Sequence, residues 1–216
     1  MAEITILIAD DHPIFRKGLR QIVESESGLK VVGEADDGES AYEKARQLKP
    51  ALIILDVNMP GMDGFDVARK IHDSGLAVEV VFLTMYKDED MFNAALDLKA
   101  KGYVLKSSAL TDIVDCVRTV SSGQHYISPA LSDFLLNRRD RASRFVKSKP
   151  SIRDLTPTEL RIVRLIADAK TSKEIAAELF ISYRTVENHR ANICQKLDLH
   201  GSNALVKFAI EHKSTL

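Results

Sequence analysis

Cysteine is scarce, with only Cys116 and Cys194 in 216 residues. Two thiols cannot build a disulfide framework, and they lack the spacing of a metal site. Long apolar runs are missing too. The longest, Ala51 to Leu55 and Val80 to Leu83, fall far short of the roughly 20 residues a membrane span needs. No charged segment followed by an apolar run opens the chain, so no secretory signal is read, and a reduced, cytoplasmic setting without membrane contact is expected. What is present, 45% hydrophobic and 28% charged residues, is ordinary globular material rather than disordered or fibrous chain. The length suits one large domain or two small ones.

The net charge of −1 conceals an asymmetry. Residues 1–125 carry 21 acidic and 14 basic side chains, a net of −7, whereas 126–216 carry 10 and 16, a net of +6. An acidic front and a basic back suggest two domains with different partners, the second polyanionic. Chance segregation of solvated charge is the alternative.

The front alternates short β-branched runs with amphipathic segments. Strands are predicted at Ile4–Ala9, Lys30–Ala35, Ala51–Leu55, Val78–Leu83 and Gly102–Leu105. Helices are predicted near Pro13–Glu24, Glu39–Leu48, Phe65–His72, Asp90–Leu98 and Leu110–Ser121. That rhythm indicates βαβ units and a five-stranded parallel sheet covered on both faces, and a run such as "ALIIL" fits a strand buried on both sides. After a short helix at Pro129–Leu136, "NRRDRASRFVKSKPSIR" reads as a tether. The predicted organisation is a domain over 1–125, a linker with a short helix over 126–153, and a small all-α domain of four helices over 154–216.

Asp10 and Asp11 follow the first strand, Asp56 the third, Thr84 ends the fourth and Lys106 follows the fifth. In an open parallel sheet the carboxyl ends of the strands form the ligand crevice, so these five side chains converge. Two carboxylates about 4 Å apart repel by roughly 4 kcal/mol at an effective dielectric near 20, and a proton or a cation must relieve three of them. Oxygen ligands favour a hard ion, and Mg²⁺ keeps positions open for water or phosphate. A carboxylate beside such an ion, faced by a hydroxyl and an ammonium, suits attack on a phosphoryl group, with Asp56 as nucleophile. The alternative, that each Asp merely caps a following helix, accounts for one of them but poorly for the set.

"IADDHP", "ILDVNMPGMDG", "FLT" and "GYVLK" resemble the receiver domain of two-component response regulators, over nearly all of residues 3–122. The resemblance implies a flavodoxin-like fold in which Asp56 accepts phosphate from a sensor histidine kinase or a phosphotransfer protein. It also implies Mg²⁺ held by Asp11, Asp56 and the backbone carbonyl of Asn58, with Asp10 positioning metal-bound water. Thr84 and Lys106 would contact the phosphoryl oxygens, and Tyr103 matches the aromatic switch, with a half-buried sheet tyrosine as the alternative. Tyr86 flanks the site and is expected to hinder the attacking water. Many receivers carry proline after the lysine, where Ser107 stands here.

In the back, "LTPTEL" places Thr156 as N-cap, Pro157 at N1 and Glu159 at N3, a capping box with the favoured first-turn proline. Thr171 with Glu174 and then Ser182 cap two further helices, and a fourth carries Leu205, Val206, Ala209 and Ile210. At 100° per residue, Val186, Ile193 and Leu197 define the buried stripe of the third helix. Arg184, Glu187, Asn188, Ala191, Asn192 and Gln195 lie away from it, a slender polar face suited to the major groove. Lys173 and Ser182 are better placed for phosphates, and Arg190 for backbone rather than a base. His189, on the stripe's flank, reads as a packing residue. "SKEIAAEL" and "TVENHRANICQKL" resemble the LuxR-type helix-turn-helix over roughly Asp154–His212, with Thr185 inside the DNA-contacting motif. Ala169 stands where the family usually has glycine.

Together the two resemblances imply a NarL/FixJ-family response regulator. The expectation is a cytoplasmic transcriptional regulator and not an enzyme, whose Mg²⁺-dependent phosphorylation at Asp56 controls promoter binding. A homodimer when phosphorylated is expected, with Leu205, Val206 and Ala209 as a two-fold contact or simply as core. Two rivals belong to other classes. An aspartyl-phosphate-forming phosphatase or phosphotransferase would want an acid where Asn58 stands, and a non-switching interaction protein would not need the intact pocket.

Overall fold

The computed structural model describes residues 3–136, 138, 151–201 and 203–213. They form two compact units, one ending at Leu135 and the other beginning at Leu136. Most of the predicted tether lies outside the described residues.

In the first unit, strands and helices alternate. In chain order they are β1 (Ile4–Ala9), α1 (Pro13–Ser25), β2 (Leu29–Ala35), α2 (Gly38–Leu48), β3 (Leu52–Asp56), α3 (Gly64–Asp73), β4 (Glu79–Thr84), α4 (Glu89–Asp97), β5 (Gly102–Leu105) and α5 (Lys106–Ser121). The strands pair in parallel in the order β2-β1-β3-β4-β5, and a sixth, β6 (Tyr126–Ile127), extends the sheet beside β5. Successive side chains of a strand face opposite ways. Ile6, Ile8, Leu52, Ile54, Val81, Leu83 and Val104 therefore pack against Leu19 and Val23 of α1 and Ile113 and Val117 of α5. Their neighbours Leu7, Ile53, Leu55 and Phe82, equally buried, point to the opposite face. Burial on both faces is why these strands read as unbroken apolar runs.

Two differences from the sequence reading stand out. α5 begins at Lys106, four residues before the predicted start, because β5 passes directly into the helix with Leu105 at the N-cap. Within its first turns Ser108 Oγ donates to Asp112 Oδ2 at 2.8 Å. The stretch expected to begin the linker is instead part of the first unit. Tyr126 N–H donates to the Lys101 carbonyl at 2.9 Å and Ser128 N–H to the Tyr103 carbonyl at 3.0 Å. A 3₁₀ turn at Pro129–Leu131 follows, Leu131 is fully buried, and the Phe134 ring lies 5.8 Å from that of Phe92.

The second unit is helical: α6 (Pro157–Ala167), α7 (Ser172–Leu179), α8 (Tyr183–Lys196) and α9 (Ala204–Glu211). Thr156 and Thr171 each close a capping box, with Glu159 and Glu174, and the Ser182 side chain accepts the Thr185 N–H. Ile162, Val163, Ile166, Ile175, Val186, Ile193, Leu205 and Ala209 form the core. Lys196 Nζ lies 2.7 Å from both Glu159 carboxylate oxygens, tying the end of α8 to the start of α6. Ala169, in the turn after α6, holds φ at 61°, the left-handed conformation that glycine adopts freely.

Candidate functional site

The carboxyl edge of the sheet collects the acidic residues. Asp10 leaves β1, Asp56 ends β3 and Lys106 opens α5, and all three side chains are buried. Lys106 Nζ sits 2.7 Å from Asp10 Oδ2 and 2.7 Å from Asp56 Oδ2, so one ammonium bridges two carboxylates. The free oxygens are held by backbone. His12 N–H donates to Asp10 Oδ1 at 2.8 Å and Asn58 N–H to Asp56 Oδ1 at 3.2 Å. Asp11 is partly exposed, with the His12 imidazole Nδ1 2.6 Å from its Oδ1. Thr84 is buried at the end of β4, and its Oγ1 accepts the Tyr86 N–H at 3.2 Å.

Burial dominates the electrostatics of Asp56. Desolvation pushes its pKa up to about 6, Lys106 opposes the rise and Asp10 adds to it. Asp10, Asp11, His12 and Asp56 offer donor atoms that all lie within 4.8 Å of one another. Three carboxylates against one ammonium leave an excess of negative charge, and the oxygen donors fit a hard divalent cation such as Mg²⁺.

Close backbone packing brings Asp56 to this edge. A Cβ on Gly64 would stand 2.2 Å from the Asp56 carbonyl oxygen, so only glycine lets α3 start against the end of β3, where Gly64 N–H donates to the Val57 carbonyl at 2.9 Å. Arg16 is a second contributor invisible in the spacing of the motif. Its guanidinium donates to the Asp10 carbonyl and, at 3.1 Å, to Glu34. Tyr103 is fully buried, its ring edge-on to Phe92 with centroids 5.4 Å apart.

On α8 of the second unit, Arg184, Glu187, Asn188, Ala191 and Gln195 are exposed, and Val186, His189, Ile193 and Leu197 are buried. Lys173 is exposed on α7. Arg190 is half-buried, 3.8 Å from Glu187. Thr185 of the same set is placed differently from its neighbours. Its side chain is buried and its hydroxyl lies 2.8 Å from Ser182 Oγ, so it serves the helix cap. Of the two roles open to Leu205, Val206 and Ala209, the described residues show the packing one. Leu205 and Ala209 belong to the core and Val206 packs against it. The open apolar residue of α9 is Ile210, 59% exposed.

Residues 6–118 match the response regulator receiver domain, and residues 153–209 match the bacterial regulatory proteins of the luxR family. The chain belongs to the response regulators that join a receiver to a LuxR-type DNA-binding domain. It is 37% identical over 211 residues to the oxygen regulatory protein NreC of Staphylococcus carnosus, covering 96% of this chain and 97% of that one. Among solved structures it resembles the two-component response regulator RcsB in complex with DNA, at 28% identity and a TM-score of 0.63, covering 95% of this chain and 97% of that one. The isolated receiver of RcsB from Salmonella enterica serovar Typhimurium, in the presence of the phosphomimetic BeF3−, is 30% identical over 61% of this chain and 98% of its own, with a TM-score of 0.58.

Among the described residues, no helix is long and apolar enough to cross a membrane.

Proposed function

We propose that Asp56 is the phosphoacceptor of this response regulator and that its phosphorylation by a histidine kinase or phosphotransfer protein controls binding to promoter DNA. What supports this most is the placement of Lys106, whose ammonium lies 2.7 Å from both Asp10 and Asp56. It is close enough to neutralise oxygens of a phosphoryl group on Asp56.

An Asp56 carboxylate oxygen attacks phosphorus, the O–P bond forms, the P–N bond of a phosphohistidine breaks, and the imidazole leaves with the electron pair. Asp11, Asp56 and the Asn58 carbonyl would hold Mg²⁺, with Asp10 orienting its water, and the ion would supply neutralisation of the phosphoryl charge. Lys106 and the Thr84 hydroxyl take the remaining oxygens. Once Thr84 turns toward the phosphoryl group, Tyr103, already packed inward on Phe92, is favoured in that position. The modification thus shifts an existing equilibrium.

The receiver is assigned to residues 1–135, β6 included, and the DNA-binding domain to 154–216. The exposed face of α8 (Arg184, Glu187, Asn188, Ala191) reads bases in the major groove. Lys173, Ser182 and Arg190 serve phosphates, and dimers form on paired half-sites. A cytoplasmic location follows from this assignment.

The test is DNA selection with the full chain at fixed salt, with and without beryllium fluoride and Mg²⁺. Enrichment of one operator, strengthened by the fluoride complex in the parent and not in Asp56→Ala, is expected. Equal enrichment in both proteins would overturn the assignment of Asp56.

A further inference from the structure

We infer that Arg16 is a positioning residue for the cation-binding carboxylates Asp10 and Asp11, and that Glu34 clamps it in place. This rests on the proposed reading of the acidic pocket and extends it to residues outside that pocket.

Arg16 lies one turn into α1. Its N–H donates to the His12 carbonyl at 3.0 Å as in any helix, but its side chain folds back over the loop, where Nη1 donates to the Asp10 carbonyl. That carbonyl belongs to the peptide joining Asp10 to Asp11. Because the peptide is planar, fixing its oxygen fixes where the Asp11 nitrogen and Cα lie. The rest of Asp10 is already held. Its N–H donates to the Ala35 carbonyl at 3.1 Å, and its carboxylate meets His12 N–H and Lys106. The grip from Arg16 completes the set and holds the peptide from which Asp11 projects.

The guanidinium is itself anchored. Nε donates to Glu34 Oε2 at 3.1 Å, and Arg20 Nη1 occupies the other oxygen at 2.7 Å. Glu34 lies on β2 opposite Ile8 of β1, and its carbonyl accepts Lys44 Nζ. Arg20 first, and Arg16 with it, hold the Glu34 carboxyl below the ordinary carboxylate range, so the clamp stays ionised. Exposed ion pairs contribute little, but the Arg16 side chain is only 15% exposed. Its flat fork spans a strand side chain and a loop carbonyl together, a geometry a lysine ammonium does not reproduce.

Mn²⁺ replaces Mg²⁺ at oxygen sites, and its binding to the full chain is read by electron paramagnetic resonance. Arg16→Gln is expected to weaken that binding about tenfold or more, the size of effect typical when a group supporting metal ligands is lost. Glu34→Ala is expected to weaken it by a smaller factor and Arg16→Lys to recover only part. With acetyl phosphate as donor, the Mg²⁺ concentration for half-maximal phosphorylation should rise with the Arg16→Gln substitution, and the rate at saturating Mg²⁺ should return to that of the parent. Lower melting temperature with unchanged Mn²⁺ affinity in Arg16→Gln would overturn the inference and leave a structural role. If Arg16→Gln does not fold, unchanged affinity in Glu34→Ala and Arg16→Lys overturns it equally. A parent chain that binds no Mn²⁺ would instead overturn the reading of the pocket.

Discussion

Asp56 is a buried carboxylate whose ionisation the fold opposes, and replacing it with asparagine turns that opposition into a measurable gain. Its pKa stands at about 6 in the folded chain against the ordinary 3.8. Between those values the native state binds the proton that the unfolded chain has released, so stability falls as pH rises from about 4 and levels off above about 7. At 1.36 kcal/mol per pH unit the loss is about 3 kcal/mol, a large share of a typical domain's stability of about 5–15 kcal/mol. Asp56→Asn has the same shape and cannot ionise. It should therefore lack this fall and exceed the parent near neutral pH by up to about 3 kcal/mol. The gain is reduced because Lys106 then keeps only Asp10, at 2.7 Å. Near pH 4 the two proteins should converge. Urea unfolding of the receiver transition across this range measures the difference, and subtracting variant from parent cancels the titrating groups remote from position 56. Saturating Mg²⁺ should narrow the gap by stabilising the ionised parent. An Asp56→Asn protein no more stable than the parent at neutral pH without Mg²⁺ would refute the desolvation argument.

Gly64→Ala should unfold the receiver or cost it several kcal/mol in urea titration, since the new Cβ would meet the Asp56 carbonyl at 2.2 Å. Ala169→Gly should stabilise the helical unit by about 0.5–1 kcal/mol, the left-handed cost at φ 61° less glycine's extra chain entropy, as read from its melting transition. Asn188→Ala should cost about 1–3 kcal/mol on the cognate operator and relax one base position, whereas Lys173→Ala should weaken all sequences alike and lower the salt slope by about 1, both read by fluorescence anisotropy. Tyr86→Ala should shorten the life of phosphorylated Asp56 in a radiolabel decay assay, because Tyr86 is exposed and its backbone is tied to Thr84, whose Oγ1 accepts its N–H at 3.2 Å.

The strands were legible because burial on both faces leaves its mark on composition. Ala51–Leu55 announces β3 to within a residue. The caps at Thr156, Thr171 and Ser182 were equally legible, since a hydroxyl answering an N–H three residues on is a local event. The five pocket residues could be placed together because strand ends converge on one edge whatever the loops do. What escaped depends on contacts between distant segments. β6 is two residues long and exists only because β5 offers it an edge. The Arg16 grip on Asp10 requires Glu34, 18 residues away, to hold the guanidinium. For a related reason, the burial of Thr185 and Ala209 was not legible. Helical periodicity gives a direction around the axis, but which directions are covered depends on the neighbouring helices, and the small bundle covers most of them.

The central claim is covalent capture at position 56, and intact-mass measurement of the full chain after incubation with acetyl phosphate tests it most directly. The account predicts a gain of one phosphoryl group that requires Mg²⁺ and is absent from Asp56→Asn. A parent chain with no gain, or an Asp56→Asn chain that gains the group as readily, would contradict it.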